Sequence, residues 1–170
     1  YFNAQQWEEF LPPMPTARYS LTIVTRTSSS PKPPAITTCG GCDAHNQTVN
    51  TVEVYSHASS QWHTAKPLPS PCSRMTSATI NNTCYLLGGQ NSTHSGTKCC
   101  FSVSIDSLIE SATSPHSQLD DPIWMSVSDT PLVGSTAATL KGSLIAIGGA
   151  VTSIDTPLSA IHVLTSDGSW

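Results

Sequence analysis

The sequence is poor in charge. Only 11% of its 170 residues are Asp, Glu, Lys or Arg, against roughly 25% in an average soluble domain. The seven Lys and Arg residues are scattered singly and the net charge is −4, which argues against a basic surface for nucleic acid or an anionic membrane. No apolar run is long enough to cross a bilayer as a helix. The sequence begins with neither methionine nor a signal-peptide pattern, and we therefore expect it to be part of a longer protein.

Internal repetition is the main feature that the sequence does contain. Three times a hydrophobic run ends in a glycine pair, followed by a polar loop, a second hydrophobic run and a tryptophan. The step from the second glycine to the tryptophan is 21 residues in the first copy (41 to 62) and in the third (149 to 170). The second copy carries an extra Ser- and Pro-rich segment, SATSPHSQLDDP, which predicts a loop insertion. The repeat markers are Gly40, Gly41, Trp62, Gly88, Gly89, Trp124, Gly148, Gly149 and Trp170.

The segments between these markers predict short β-strands. No segment sustains a helical period, although SLIESA at residues 107–112 predicts a short helical turn. Asn81-Asn82 and Lys141-Gly142 suit two-residue hairpin turns. About four strands in each unit of roughly 45 to 60 residues is the pattern of a β-propeller blade. The predicted strands are residues 7–14, 18–24, 35–39, 51–55 (with alternating burial), one opening at Trp62, 74–80, 83–87, 99–105, 135–140, 143–147 and 160–164.

The first repeat has the features of a known family. It resembles the kelch repeat in its arginine, its glycine pair, Tyr55, and Trp62 with the following HTAKPLP. The arginine is Arg18, and Arg74 is the matching residue of the second repeat. The later copies depart from the pattern, because Gly134 replaces the arginine and Val103 and Val163 stand where Tyr55 is expected. The resemblance implies an all-β, kelch-type β-propeller fragment of about three four-stranded antiparallel blades. The blades would cover about residues 16–69, 72–130 and 132–170, with residues 1–15 as the last strand of a preceding blade.

The tryptophans and glycine pairs are interpreted as structural. Trp7, Trp62, Trp124 and Trp170 recur in register with the repeat, and each can bury on the order of 200 Å² between neighbouring blades. The glycine pairs supply sharp strand exits. No G-x-G-x-x-G follows them, so a phosphate-binding loop is not expected.

The six cysteines do not form a convincing metal site. A zinc knuckle would need a second C-x-x-C pair beside the one of Cys39 and Cys42. Cys99 and Cys100 are adjacent, and neighbours in a strand point to opposite faces. We interpret the cysteines, with Cys72 and Cys84, as small buried side chains in a reducing, cytoplasmic setting. No metal or other cofactor is expected.

The resemblance implies a non-catalytic protein-interaction scaffold, since kelch propellers often serve as substrate receptors of ubiquitin ligases or as partners of the cytoskeleton. Further kelch blades would complete the ring in the full-length chain. The loops that follow the glycine pairs, together with the two arginines near the inner strands, would bind the partner protein. The candidate residues are Arg18, Asp43, His45, Asn46, Gln47, Arg74, Gln90, Asn91, Ser92, His94 and Asp155.

The alternative is an enzyme on the same fold. Galactose-oxidase-like copper enzymes need two histidines, an axial tyrosine and a tyrosine crosslinked to cysteine, whereas the six histidines here are dispersed. Cys84 and Tyr85 are strand neighbours and are expected on opposite faces. No G-x-S-x-G elbow suggests a serine hydrolase. We therefore expect no enzymatic activity.

Overall fold

The computed structural model describes residues 11–26, 32–93, 96, 100–114, 124–127, 133–150 and 157–164. Within these ranges the chain forms three antiparallel sheets and one helix. Sheet 1 has the order β1-β2-β3-β4, sheet 2 the order β5-β6-β7-β8 and sheet 3 the order β11-β10-β9. The elements are β1 (Thr22–Arg26), β2 (Ala35–Cys39), β3 (Val52–Ser56), β4 (Gln61–Thr64), β5 (Thr76–Ile80), β6 (Thr83–Leu87), β7 (Cys100–Ser104), α1 (Ile105–Thr113), β8 (Met125–Ser126), β9 (Thr136–Leu140), β10 (Ser143–Ile147) and β11 (Ile161–Leu164).

Two predicted hairpin turns are confirmed. Asn81 and Asn82 join β5 to β6 with φ of 46° and 64°, and Lys141 and Gly142 join β9 to β10 with φ of 50° and 79°. Positive φ at both central residues is the geometry that matches the twist of a two-residue hairpin. The strands on either side therefore pair over five residues each.

The first strands of sheets 1 and 2 begin later than the sequence predicted. β1 begins at Thr22 instead of residue 18, and β5 begins at Thr76 instead of residue 74. Ser20 and Arg74 have φ of 53° and 55°, and a left-handed residue cannot continue an extended strand. Residues 11–14 form no strand, and the rest of the predicted first strand lies outside the described residues.

Two further predictions were wrong in detail. β3 is buried along its whole length on both faces, not alternately exposed, because sheet 1 is covered on both sides at this strand. The helical turn predicted at residues 107–112 is the nine-residue helix α1, which begins after Ser104, whose hydroxyl caps the N–H of Ser107.

The sheets pack face against face through two hydrophobic clusters. We call the face of a sheet that packs on the next sheet along the chain its trailing face. The opposite face, which packs on the preceding sheet, is its leading face. Apolar burial between sheets is the term that holds such stacked units together. In the first cluster the trailing face of sheet 1 supplies Val24, Cys39, Val52 and Val54, and the leading face of sheet 2 supplies Cys84, Leu86, Phe101 and Val103. In the second the trailing face of sheet 2 supplies Ala78, Leu87 and Cys100, and the leading face of sheet 3 supplies Leu144, Ala146 and Leu164.

Strand register shows which residues are equivalent in the three repeats. Ile36 pairs with Tyr55, Cys84 with Val103 and Leu144 with Leu164. The counterpart of Tyr55 in the third repeat is therefore Leu164, which is buried, and not Val163, which is 40% exposed. The loop before β11 is one residue longer than a count from the glycines assumes.

Helix α1 fastens the second sheet to the first. Its inner residues Leu108 and Ile109 belong to the first cluster. Asp106 forms ion pairs of 2.8 Å with Arg26 of sheet 1 and with Lys32 just before β2, and Lys32 also pairs with Glu110. The hydrogen bonds and charges of Lys32 and Arg26 outweigh desolvation and lower the pKa of Asp106.

Candidate interaction surface

The loops after the glycine pairs lie at one end of the sheets. Thr22 at the start of β1 pairs with Cys39 at the end of β2, and Thr76 pairs with Leu87 in the same way. Short bridges extend this pairing beyond the strands, between Tyr19 and Cys42 and between Ser73 and Gln90. Each loop is therefore anchored to the segment that enters its own inner strand.

The first loop is folded around Asp43. Its carboxylate accepts hydrogen bonds of 2.9 Å from the backbone N–H groups of His45 and Gln47, an arrangement typical of Asx-turns. Asn46 has a φ of 60° and closes the turn. Asp43 is thus engaged by its own loop, whereas the side chains of His45 and Gln47 are exposed.

The second loop is folded in the same way, around the side-chain amide of Asn91 instead of a carboxylate. The side-chain oxygen of Asn91 accepts from the N–H of Thr93 at 3.0 Å and from its hydroxyl at 2.7 Å. Ser92 is exposed at the tip, but Gln90 is only 4% exposed. Gln90 is therefore a structural residue and not a surface contact. His94 and Asp155, also predicted for this surface, lie outside the described residues.

Arg18 is not a surface residue, contrary to the prediction. Its guanidinium has no solvent exposure and forms a 2.7 Å ion pair with Glu53, itself 3% exposed. It also donates to the carbonyls of Gly40 at 2.6 Å and Thr51 at 2.9 Å. With its donors used inside sheet 1, Arg18 is unable to contact a partner.

Arg74 is not the counterpart of Arg18. The β-bridges place Ser73 in the second repeat where Tyr19 lies in the first. Arg74 therefore corresponds to Ser20, which is two residues after Arg18 in the chain. Ser20, Arg74 and Gly134 share positive φ values of 53°, 55° and 68°. Arg74 has an exposed side chain and donates its backbone N–H to the Ser20 carbonyl at 2.9 Å.

The sequence interpretation missed Tyr19. It was assigned to a strand interior, but it is 48% exposed and its hydroxyl donates to the side-chain oxygen of Asn46. The segment of Tyr19 and Ser20 is hydrogen-bonded to that of Arg74, so tyrosine and arginine lie on neighbouring segments of one surface. We call Tyr19, His45, Asn46, Gln47, Arg74 and Ser92 the loop surface.

The glycine pairs make close backbone approaches. A Cβ at Gly40 would lie 2.2 Å from the carbonyl oxygen of Cys72, and one at Gly89 would lie 2.6 Å from the sulfur of the same residue. Both glycines have positive φ, as do Gly41, Gly88, Gly148 and Gly149. The N–H of Gly41 donates to Cys72 at 2.9 Å, which links the first glycine pair to the connection that leads into sheet 2.

Two tryptophans lie at equivalent register positions. Trp62 pairs with Tyr55 in the sheet, their rings 5.5 Å apart, and its indole N–H donates to Pro12 at 2.9 Å. Trp124 packs on Phe101 and donates to the carbonyl of Lys66, which follows sheet 1. Trp124 therefore bridges sheets 1 and 2, while Trp62 holds the segment before sheet 1. Trp7 and Trp170 lie outside the described residues.

The residues considered for copper chemistry are separated. Cys84 lies in the first cluster and Tyr85 against the second, so they point to opposite faces as predicted. Burial raises the pKa of Cys84 well above its ordinary value and that of Cys39 to about 12.

Among the described residues no group of three or more His, Cys, Asp or Glu side chains is placed to hold a metal ion. Nor does the described part of the chain contain a helix long and apolar enough to span a membrane.

Comparison with known proteins agrees with the repeat pattern. A family model described as "Kelch motif" matches residues 38–69. No curated protein matches in sequence. A solved structure titled "Structure of YjhT" superposes with a TM-score of 0.64 at 13% identity, over 87% of this chain and 53% of that one. The chain thus spans about half the length of this structural relative. The resemblance is confirmed: the chain carries a kelch motif at residues 38–69 on a fold similar to that of YjhT.

Proposed function

We propose that the chain is a non-catalytic protein-interaction module that binds a protein partner through the loop surface. Kelch repeats generally mediate protein interactions, and this surface offers residue types suited to that task. Tyr and Arg are enriched at binding hot spots because they bury a large contact area and hold several donors. The observation that carries the proposal is the exposed Tyr19, tethered to Asn46 beside the segment of Arg74.

The backbone beneath this surface is well ordered by its contacts. Bridges join Tyr19 to Cys42 and Ser73 to Gln90, and the Asp43 carboxylate fixes the first loop. A surface that is already shaped loses less conformational entropy on binding than a mobile one. The partner would therefore meet a preformed site.

The blade boundaries proposed from the sequence fit this function. We propose that the repeats divide near residues 70 and 131. The described strands of sheet 1 end before residue 70, those of sheet 2 lie between the two positions, and those of sheet 3 begin after residue 131. The loop surface would then be shared by the first two blades. A ubiquitin-ligase substrate or a cytoskeletal protein remains the predicted type of partner, and the identity of the captured protein separates the two.

The test compares capture by the wild-type chain and by the double variant Tyr19→Ala/Arg74→Ala. Tagged proteins are incubated with a cell extract, and bound proteins are quantified by mass spectrometry. Gln61→Ala, an exposed substitution at the opposite end of sheet 1, is the matched control. We expect a specific partner whose capture falls roughly tenfold or more in the double variant and stays unchanged in the control. Equal capture by the wild type and the double variant, with matching melting curves, would overturn the proposal.

A further inference from the structure

Arg74 carries a charge that the described part of the chain does not neutralise. Arg18, Arg26 and Lys32 each form an ion pair within the protein, whereas no ion pair joins Arg74 to any other described residue. Its side chain is exposed on the loop surface. Because an arginine side chain is a permanent cation, this charge is available to a binding partner.

The acidic residues of the described ranges all have partners of their own. Asp43 accepts hydrogen bonds from two N–H groups of its own loop. Glu53 is paired inside sheet 1, and Asp106 and Glu110 are paired beside helix α1. An anion for Arg74 would therefore come from another molecule.

The backbone holds Arg74 in a defined place. Its N–H donates to the Ser20 carbonyl at 2.9 Å, and the preceding Ser73 forms a bridge with Gln90. Sheet 2, into which this segment leads, packs between sheets 1 and 3. Arg74 thus has described neighbours on both sides, and its side chain starts from a fixed point. Such an anchored residue loses less conformational entropy on binding than one in a mobile loop.

The equivalent positions in the two flanking repeats leave room beside Arg74. They are held by Ser20 and Gly134, which share its positive φ. Serine has a short side chain, and a Cβ added at Gly134 would meet nothing within 4 Å. An approaching segment therefore meets no bulky side chain at either position on its way to the guanidinium.

We propose that the partner places the carboxylate of an Asp or Glu side chain on Arg74. A guanidinium and a carboxylate match as a planar pair with two parallel N–H···O hydrogen bonds. One arginine balances the single charge of a carboxylate, whereas a phosphate group carries about two charges and is usually bound by a cluster of arginines. The exposed Tyr19 lies on the neighbouring segment and would pack beside the ion pair. This inference rests on the proposed function and specifies the chemistry of the partner.

The experiment selects binders from a phage-displayed library of short random peptides on the immobilised wild-type chain. Peptides whose binding is lost in Tyr19→Ala are kept, because they occupy the loop surface. We expect these peptides to share an Asp or Glu at one position and to bind Arg74→Gln roughly ten- to hundredfold more weakly. Lys141→Gln is the matched control: it removes an exposed cation, also at positive φ, in the hairpin at the opposite end of sheet 3. It should leave binding unchanged.

A second measurement asks whether the shared acid meets Arg74 itself. Replacing that acid by Asn or Gln should weaken binding to the wild-type chain but hardly change binding to Arg74→Gln, since the ion pair is already absent there. Arg74→Lys should keep part of the affinity, because lysine retains the charge but lacks the planar fork of donors. Circular dichroism checks that all variants fold.

The outcomes separate this inference from the proposed function. Selected peptides that share no acid, or whose acid contributes equally to binding of the wild type and of Arg74→Gln, would overturn the inference and leave the loop surface as a binding site. A selection that gives no Tyr19-dependent peptide would also overturn it. Capture from the cell extract uses no peptide and then decides the proposed function separately.

Discussion

Arg18 and Glu53 form an ion pair of 2.7 Å inside the first sheet, with side-chain exposures of 0% and 3%. Thr16 also donates to Glu53, and Thr38 accepts from Arg18 at 3.0 Å. The pair joins the segment that enters sheet 1 to its third strand, near the start of that strand. The Arg18 guanidinium also donates to the backbone carbonyls of Gly40 and Thr51, so both charges are satisfied inside the sheet.

Breaking this pair should destabilise the fold strongly. Arg18→Met leaves the Glu53 carboxylate buried without its cation, and we expect a loss of about 3 to 5 kcal/mol in the free energy of unfolding. Urea denaturation followed by circular dichroism measures it. Arg74→Met is the matched control and should change stability by less than about 0.5 kcal/mol, since that side chain is exposed.

The double variant Arg18→Met/Glu53→Leu gives a second check on the same pair. Removing both charges should recover part of the loss, because no unpaired ion is left inside the sheet. In the second repeat the equivalent positions already carry the uncharged Cys72 and Phe101. A double variant that is less stable than Arg18→Met would contradict the interpretation of a desolvated charge pair.

Gly89→Ala should cost more stability than Gly142→Ala, although both glycines have positive φ. At Gly142 an added Cβ meets nothing within 4 Å, which leaves a backbone penalty of about 1 kcal/mol. At Gly89 the methyl group would also lie 2.7 Å from the Ser73 carbonyl oxygen, which we expect to add about 1 to 3 kcal/mol. Thermal and urea unfolding of the two variants provide the comparison, and equal losses would show that close approach does not matter.

Acidification should weaken the contact between helix α1 and sheet 1. The pKa of Asp106 is lowered from its usual 3.8, so its stabilising effect is complete above that unfolded-state value. The effect is lost as the pH falls through the lower pKa of the folded state. Asp106→Asn should lower the melting temperature by about 2 to 4 °C near neutral pH and by less in strong acid. A difference between wild type and variant that persists unchanged at low pH would contradict the ion-pair explanation.

The thiols of Cys39 and Cys84 should be inert in the native protein. Desolvation raises the pKa of Cys39 to about 12, against a smaller lowering by Arg18, and also raises that of Cys84. The thiolate is the reactive form, so iodoacetamide at about pH 8 should alkylate these residues only after unfolding. Peptide mass spectrometry reports each site, and Ala58→Cys supplies an exposed reference thiol. Alkylation of Cys39 at the rate of that reference would refute the prediction.

Local patterns predicted much of the fold. The bounds of β2, β6 and β10 follow from the sequence because a hydrophobic run ends at a glycine pair, and few residues but glycine tolerate the strand exit there. Asn81-Asn82 and Lys141-Gly142 fixed two hairpins by the same local chemistry. The repeat arithmetic identified the three units because each is built from the same short-range signals.

Tertiary structure decided which residues of the candidate surface are available. Counting along the chain equated Arg18 with Arg74, but only strand register shows that one is buried against Glu53 and the other is exposed. The exposure of Tyr19 and the burial of Gln90 likewise depend on residues distant in sequence. The sequence by itself determined the strands, turns and repeats, since backbone preferences are local. Burial and charge pairing were decided by the folded chain, because they depend on what each side chain meets.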